Sequence, residues 1–534
     1  MSLVRLLPVV LMIALPLAAA RADDFSTHVK TRSGIVAGAV DHGVLSFKGI
    51  PYARPPVGKL RWREPLPARS WPGTLQATDY GHDCMQLLFP EDDAPIRTTP
   101  SEDCLVLNIW RPAAATQSRL PVMVWIYGGG FTIGGTSPAA YDGSNFARDG
   151  VILVSMNYRL GRFGFFAHPA LTAENPNGLL GNYGYLDQIA ALKWVQRNIA
   201  AFGGDPHHVT LFGESAGGGS VQVLMTSPRA RGLFAAAIVE SGGSRGNLMG
   251  GGTRRISADL PGLPSGESTG VNFAKNQGIE DTGPQGLAQL RALPADTVQA
   301  GIGFGAPRAA GPPTYAGPMQ DGKIVIGDPS LIYRAGGQAK VPFMIGANTA
   351  DIGGFGNPQS LLEVFRPFGA DAAHAQRAYD PEHSGDVQAL AARVGRDALM
   401  IEPARFIAAT LAAQGQKAWL YRFGYVVESM RASWKTGAPH AKEIPFVFDT
   451  LTARYGTAVT AHDATVAATT HAYWVNFGKF GDPNGTGLAP WPAYSATTDE
   501  LMIFQADGVA AGQKDPWKVQ LDLTAQRAQN AVKP

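Results

Sequence analysis

The stretch HHVTLFGESAGGGSVQVLM, residues 207 to 225, decides how this chain is read. It contains Gly213-Glu214-Ser215-Ala216-Gly217, a match to G-x-S-x-G, the pattern of a serine pushed outward on a sharp strand-to-helix turn. The pattern alone is weak, because 64 of the 534 residues are glycine and it occurs three times. The other matches are Gly242-Gly243-Ser244-Arg245-Gly246 and Gly266-Glu267-Ser268-Thr269-Gly270. Their surroundings separate them. Ser268 follows the Pro/Gly-rich LPGLPSG and has no strand before it. Ser244 follows the strand-like AAAIVES, but RGNLMGGGTRR after it is no helix. Only Ser215 has an apolar strand behind it, HVTLF, and a helix-like run ahead, AGGGSVQVLMTS. Gly213 and Gly217 suit a place where strand and helix nearly touch. A tight βα turn without chemistry is the plain alternative.

The flanking sequence sets this turn in an α/β chain. LPVMVWIYGGG and GVILVSMNY are continuous apolar runs, as expected of strands buried on both faces. YLDQIAALKWVQRNIAAFG (185 to 203) has helical spacing and stops at Gly203-Gly204. LFAAAIVES, KVPFMIGANTAD and KAWLYRFGYV read as further strands, and TVAATTHAYWVNFGKFG as a helix ended by Gly481. Strands alternating with helices predict a mostly parallel sheet covered on both faces. From Gly34 to about Asn108, short strand-like pieces between Pro/Gly turns predict an antiparallel beginning to that sheet. Residues 243 to 270 look like a surface excursion, and 271 to 335 and 358 to 412 like helical insertions. With no repeat and no dividing linker, residues 23 to 534 are expected to form one domain.

Residues 1 to 22 read as a secretory signal peptide: Arg5, an apolar run from Leu6 to Leu17, and Ala20-Arg21-Ala22 at the cleavage site. The run is short for the roughly 20 residues of a membrane span and carries Pro8 and Pro16, so no stable membrane anchor is expected. The mature protein is expected in the periplasm or outside the cell. A formal charge of +2, with 16% charged residues and no basic run, gives nucleic-acid binding no support. Cys84 and Cys104 allow one pairing, compatible with export and worth around 3 kcal/mol for a loop of about 20 residues. Two free thiols are the alternative. No set of Cys and His residues suggests a metal site.

A nucleophile needs donors for developing negative charge. WIYGGGF (125 to 131) ends a buried strand in three glycines, whose N–H groups can turn toward a ligand. With the N–H of Ala216 they would form an oxyanion hole, each donor worth on the order of a hundredfold in rate.

FKGIPYARPPVGKLRW, SEDCLVLNIWRP, PVMVWIYGGGF, VSMNYRLGRFGF, GNYGYLDQIAALKWVQRNIAAFGGDP and VTLFGESAGGGS occur in that order. Together they resemble the type-B carboxylesterase family, which includes the cholinesterases and bile-salt-type lipases. The likeness runs from about residue 30 to about 500. It implies an α/β-hydrolase fold, serine esterase activity on a small-molecule ester and no cofactor. It places the nucleophile at Ser215, the oxyanion donors at Gly129, Gly130 and Ala216, and a disulfide at Cys84 and Cys104.

The fold orders its triad Ser, acid, His. His440 lies in the loop WKTGAPHAKEIPFVF after a strand and matches the family's G-x-x-H-x-x-E at Gly437, His440 and Glu443. His471 falls within a helix, and His462 stands among small polar residues. For the acid, Asp351 lies five residues after the strand-end Gly346 and between Ser215 and His440. The family usually has Gly next, where this chain has Ile352, a residue poorly suited to φ > 0. Asp321, before Gly322, is the rival, equally well explained as a turn residue. Glu214 would tune the site electrostatically and Ser241 would support the acid, with structural roles open for both. Arg162, Arg245, Arg254 and Arg255 would favour an acidic substrate if they lined the rim, and solvated surface charge is their simpler explanation. The disulfide loop MQLLFPEDDAPIRTTPSED has no Trp, so choline esters should not be preferred. Rival readings are a non-catalytic binding or adhesion protein on the same fold, and a hydrolase of amides, carbamates or lactones.

Overall fold

The continuous apolar runs form the middle of an eleven-stranded mixed sheet in the computed structural model, which describes residues 26–114, 119–243, 245, 253–304, 311–353 and 356–531. The segment read as a signal peptide and Ser244 lie outside the described residues. In chain order the strands are β1 (Ala39–Asp41), β2 (Val44–Pro51), β3 (Val106–Pro112), β4 (Leu120–Ile126), β5 (Ile152–Met156), β6 (Gly204–Glu214), β7 (Ala236–Glu240), β8 (Phe343–Asn348), β9 (Ala418–Phe423), β10 (Glu500–Phe504) and β11 (Ala510–Lys514). Across the sheet they lie β11-β10-β9-β8-β7-β6-β4-β5-β3-β2-β1. From β5 to β10 every pairing is parallel. β1, β2 and β3 lead into β5 antiparallel, as the turn-rich start of the sequence predicts.

Every residue of β5, β7, β8 and β9 is buried, so both faces are covered. Helices α1 (Tyr183–Asn198), α2 (Ala216–Thr226), α5 (Glu402–Ala413) and α6 (Ala461–Phe480) pack on it. Gly481, in the left-handed region at φ 62, ends α6. Outside this layer lie α3 (Gly266–Asn276), α4 (Val387–Arg396) and α7 (Lys518–Ala531). α3 starts inside the stretch expected to be a surface excursion, because the Ser265 side chain accepts from the N–H of Ser268 and caps the helix. Cys84 and Cys104 are joined by a disulfide that closes the loop of residues 85–103.

Register fixes where chemistry can gather. Gly213 lies opposite Ile126, Glu214 opposite Glu240, and Glu240 opposite Gly346. The C-terminal ends of β4, β6, β7 and β8 are therefore side by side, and so are the turns that follow them. Ala350, just beyond β8, bridges to Pro439 in the loop after β9.

Candidate active site

Ser215 joins β6 to α2 with φ 56 and ψ −119, a conformation costly for a non-glycine residue, about 1–3 kcal/mol. The packing holds it there. A Cβ on Gly217 would stand 2.0 Å from the Ile126 carbonyl oxygen, and one on Gly213 2.6 Å from the same atom. Ser215 donates its N–H to the Glu240 carbonyl at 2.9 Å, and its own carbonyl accepts from Gly219 at 2.8 Å. Strand and helix thus pinch the turn, and the serine is 8% exposed.

The glycine turn after β4 lies against it. A Cβ on Gly128 would stand 3.0 Å from Ser215 Cβ and 2.7 Å from Glu214 Oε2. Gly129 and Gly130 have φ 91 and 62, and their N–H groups donate to no group among the described residues. Ala216 opens α2, where first-turn N–H groups lack intrahelical acceptors. Gly128 belongs to the three-glycine run that the sequence reading placed here.

His440 Nδ1 lies 2.6 Å from Asp351 Oδ1. The second carboxylate oxygen accepts from Ser241 Oγ at 2.6 Å and from the Asn348 N–H at 3.0 Å, while Oδ1 also takes the Ile352 N–H at 2.7 Å. Burial opposes ionisation of Asp351, but His440 and these donors outweigh it and hold the carboxyl below its ordinary range. Ile352, where the family usually has Gly, does not adopt positive φ. It packs instead against the buried apolar cluster of Ala347, Met400, Ile401 and Leu521. Asn348 was missed. It stands three residues before Asp351, and its side chain reaches Glu443 and the Pro439 carbonyl.

Glu214 Oε1 is 3.2 Å from His440 Nε2, yet accepts no hydrogen bond among the described residues. Burial pushes Glu214 well above the usual carboxylate range, with His440 opposing. Burial likewise works against the His440 imidazolium, but Glu214 and Asp351 outweigh it and raise the histidine above an ordinary imidazole. Burial and Asp351 raise Glu443 to about 7. Nδ1 is therefore fixed by Asp351, while Nε2 lies 3.2 Å from the carboxyl of Glu214, the residue before Ser215, and makes no hydrogen bond among the described residues.

The rival residues do not converge here. Asp321 accepts the N–H groups of Lys323, Ile324 and Val325 and the Asn182 side-chain amide, so it builds a turn. His471 is buried against the Val447 carbonyl, and His462 is exposed beside that of Asp507. Arg162 is not a solvated charge but is buried, donating to carbonyls of Val298, Ala300 and Thr314. Arg245 pairs with Glu402 and stacks on Phe406, Arg254 donates to the Pro264 carbonyl, and Arg255 is exposed. Among the described residues no group of three His, Cys, Asp or Glu is arranged to hold a metal ion.

Comparison with known proteins identifies the family. The profile of the carboxylesterase family matches residues 26–363 and 370–520. The chain is 35% identical over 505 residues to the fumonisin B1 esterase of Sphingopyxis macrogoltabida, covering 92% of this chain and 88% of that protein. It is also 35% identical over 505 residues to the para-nitrobenzyl esterase of Bacillus subtilis, covering 90% and 95%. The crystal structure of the Geobacillus stearothermophilus carboxylesterase EST55 superposes with a TM-score of 0.76 at 33% identity, covering 93% of this chain and 99% of that one. The chain belongs to the carboxylesterase family and is a carboxylic ester hydrolase on the α/β-hydrolase fold.

Proposed function

We propose that this chain is an exported serine esterase that acts through Ser215, His440 and Asp351 and passes through an acyl-enzyme. The observation that carries the reading is the 2.6 Å contact between His440 and Asp351 beside a serine turned out at φ 56. Ser215 Oγ attacks the ester carbonyl carbon as His440 Nε2 takes its proton. Asp351 accepts from Nδ1–H, which fixes the tautomer and stabilises the imidazolium. The N–H groups of Gly129, Gly130 and Ala216 receive the oxyanion. Collapse breaks the bond to the alcohol oxygen, which leaves with the proton from Nε2. Water then attacks the acyl carbon with His440 again as base, and the carboxylic acid departs from Ser215 Oγ.

An apolar, uncharged substrate fits the surroundings of the donors. A Cβ on Gly130 would meet the Phe304 ring at 3.3 Å, and Phe304 packs edge-on against Phe89 of the disulfide loop at 5.5 Å. The arginines that would have favoured an acidic substrate are, apart from exposed Arg255, engaged within the protein. A panel of neutral p-nitrophenyl and p-nitrobenzyl esters, acylcholines, fumonisin B1, amides and lactones tests the reading. Neutral esters should be turned over fastest, and a serine-directed phosphonate should attach at Ser215. Attachment elsewhere would sink the choice of Ser215, and no turnover of any ester would favour a binding role.

Export and a single mature domain of residues 23–534 belong to the same proposal. The main apolar cluster draws residues from Val29 to Phe504, with two small clusters beside it, and among the described residues no helix is long and apolar enough to cross a membrane. Peptide mapping of exported protein should begin at Asp23 and show Cys84 linked to Cys104. Two alkylatable thiols would count against this.

A further inference from the structure

The loop that carries Asp351 is laced to the loop that carries His440. Thr349 Oγ1 accepts the Ala438 N–H at 3.0 Å, and the Ala350 N–H donates to the Ala438 carbonyl at 2.9 Å. A Cβ on Gly437 would stand 2.2 Å from Thr349 Oγ1, so the two loops touch. The Thr349 carbonyl takes a different partner, Arg396 Nη1, at 2.6 Å. Arg396 ends α4, and Gly353 abuts the same helix end: its Cβ would stand 2.1 Å from the Ala392 carbonyl oxygen and 2.6 Å from Arg396 N.

Behind Arg396 is a buried charge set around one indole. The Arg396 guanidinium lies 4.1 Å from the Trp517 ring centroid, and that of Arg422 lies 4.2 Å from the same ring. Arg396 Nε donates to Asp397 Oδ1 at 2.8 Å, at the start of a π-turn spanning Asp397–Ile401. Arg422 makes two 2.8 Å bonds to Asp515, whose carboxylate also accepts the Trp517 N–H. Gln520 in α7 closes the set on Asp397 at 3.0 Å. Buried ion pairs are poor stabilisers compared with apolar packing of the same volume, so stability alone does not account for four buried charges here. The set also abuts the site: Arg396 holds the Thr349 carbonyl, and Ile352, next to Asp351, packs against the same buried cluster of Ala347, Met400, Ile401 and Leu521 that Trp517 packs against.

We propose that Arg396 and Trp517 are positioning residues for ester hydrolysis: through them the C-terminal segment fixes the Thr349–Ile352 loop where Asp351 can orient His440. This rests on reading Asp351 and His440 as acid and base. Supports behind a catalytic group hold it within the fraction of an ångström that orientation requires. The groups facing the His440 ring are Asp351 after β8, Glu214 at the end of β6, and Glu443 three residues beyond the histidine. Arg396, Arg422, Asp397 and Asp515 are paired with one another behind the loop.

The test compares Arg396→Lys, Trp517→Ala and Trp517→Phe with wild type in full-length mature protein. kcat, KM and the pH profile of kcat/KM are measured on a neutral p-nitrophenyl ester. None of these changes alters net charge, so a moved profile reports geometry. Arg396→Lys and Trp517→Ala should lower kcat about ten- to a hundredfold with KM nearly unchanged. They should also move the acid limb of kcat/KM to lower pH, because a loosened Asp351 supports the imidazolium less. Trp517→Phe, which keeps an aromatic ring against the guanidiniums, should restore both. An unmoved kcat and profile with a lowered melting temperature would overturn the proposal and leave only a structural role. If Trp517→Ala does not fold, Arg396→Lys decides. Asp351→Asn run in parallel separates the two readings: if it keeps full turnover, the acid has been misassigned. Loss at Asp351→Asn with unaffected Arg396→Lys and Trp517→Ala fails the positioning proposal alone.

Discussion

Gly213-Glu214-Ser215-Ala216-Gly217 and Gly266-Glu267-Ser268-Thr269-Gly270 share four of five residues. In both, the outer glycines allow a close approach. A Cβ on Gly217 would stand 2.0 Å from the Ile126 carbonyl oxygen, and one on Gly270 would stand 1.9 Å from that of Ala167. Both serines lie at the N-terminus of a helix, so neither glycine spacing nor helix start separates them. What differs is the element before the serine. Ser215 leaves the end of a buried parallel strand and must reverse within one residue, at φ 56. Ser268 already sits in the first turn of α3, and its hydroxyl is spent on Asp259 Oδ1 at 2.8 Å. Of these two serines, only the one that a strand forces through the turn keeps its hydroxyl off a neighbouring carboxylate among the described residues.

The largest expected difference between the two sites is in turnover. Ser215→Ala should lower ester hydrolysis on the order of 10⁴-fold or more, with circular dichroism unchanged. Ser268→Ala should leave it at wild-type level. Equal losses in both would erase the distinction drawn from the preceding strand.

The acid offers a similar pair. Asp351→Asn should lower turnover by about 10⁴-fold, because an amide opposite Nδ1 favours the wrong tautomer. Asp321→Asn should hold turnover and lose only melting temperature, since its carboxylate serves three N–H groups of its own turn. The assignment is wrong if Asp351→Asn retains more than about a tenth of wild-type turnover while Asp321→Asn does not.

The parts legible in the sequence were those whose cause is local. Strands buried on both faces leave unbroken apolar runs, so β4 to β9 and the turn at Ser215 could be read directly. The order Ser, acid, His and the loop position of His440 selected a histidine from eleven. What escaped depends on partners distant in the chain. Arg162 looked like surface charge, but its acceptors lie at Val298, Ala300 and Thr314, more than 130 residues on. Ile352 looked like a misfit, because most of the apolar cluster that receives it comes from residues 400, 401 and 521. The N–H of Asn348 on Asp351 is short-range, yet backbone donors carry no residue signature.

A smaller contrast concerns the glycines. Gly217→Ala and Gly270→Ala both push a methyl group into a carbonyl oxygen and should each destabilise by about 1–3 kcal/mol, read from denaturant midpoints. Only Gly217→Ala should also cost turnover, because displacing α2 moves Ser215 and the Ala216 N–H together. A wild-type midpoint for either variant would mean that the helix shifts freely, and that close approach does not hold the turn.

The smallest effect separates the two glutamates. Glu267 accepts from Thr172 and faces no catalytic group, so Glu267→Gln should leave the pH profile unmoved. Glu214 stands 3.2 Å from His440 Nε2 and, with Asp351, keeps that imidazole above its ordinary range despite burial. His440 acts as a base only when neutral, so activity rises with pH as the imidazolium loses its proton. Glu214→Gln keeps the volume and removes the charge, which makes the imidazolium easier to deprotonate. The acid limb of kcat/KM should therefore move to lower pH, each unit of movement corresponding to about 1.4 kcal/mol of lost interaction. Plateau turnover should fall by no more than about tenfold, because Asp351 still sets the tautomer. A limb that stays in place would show that Glu214 holds its own proton throughout the working range. A glutamic acid neutral in both states of the histidine exerts no charge on it, and Glu214 would then serve only to fill the space behind Gly128.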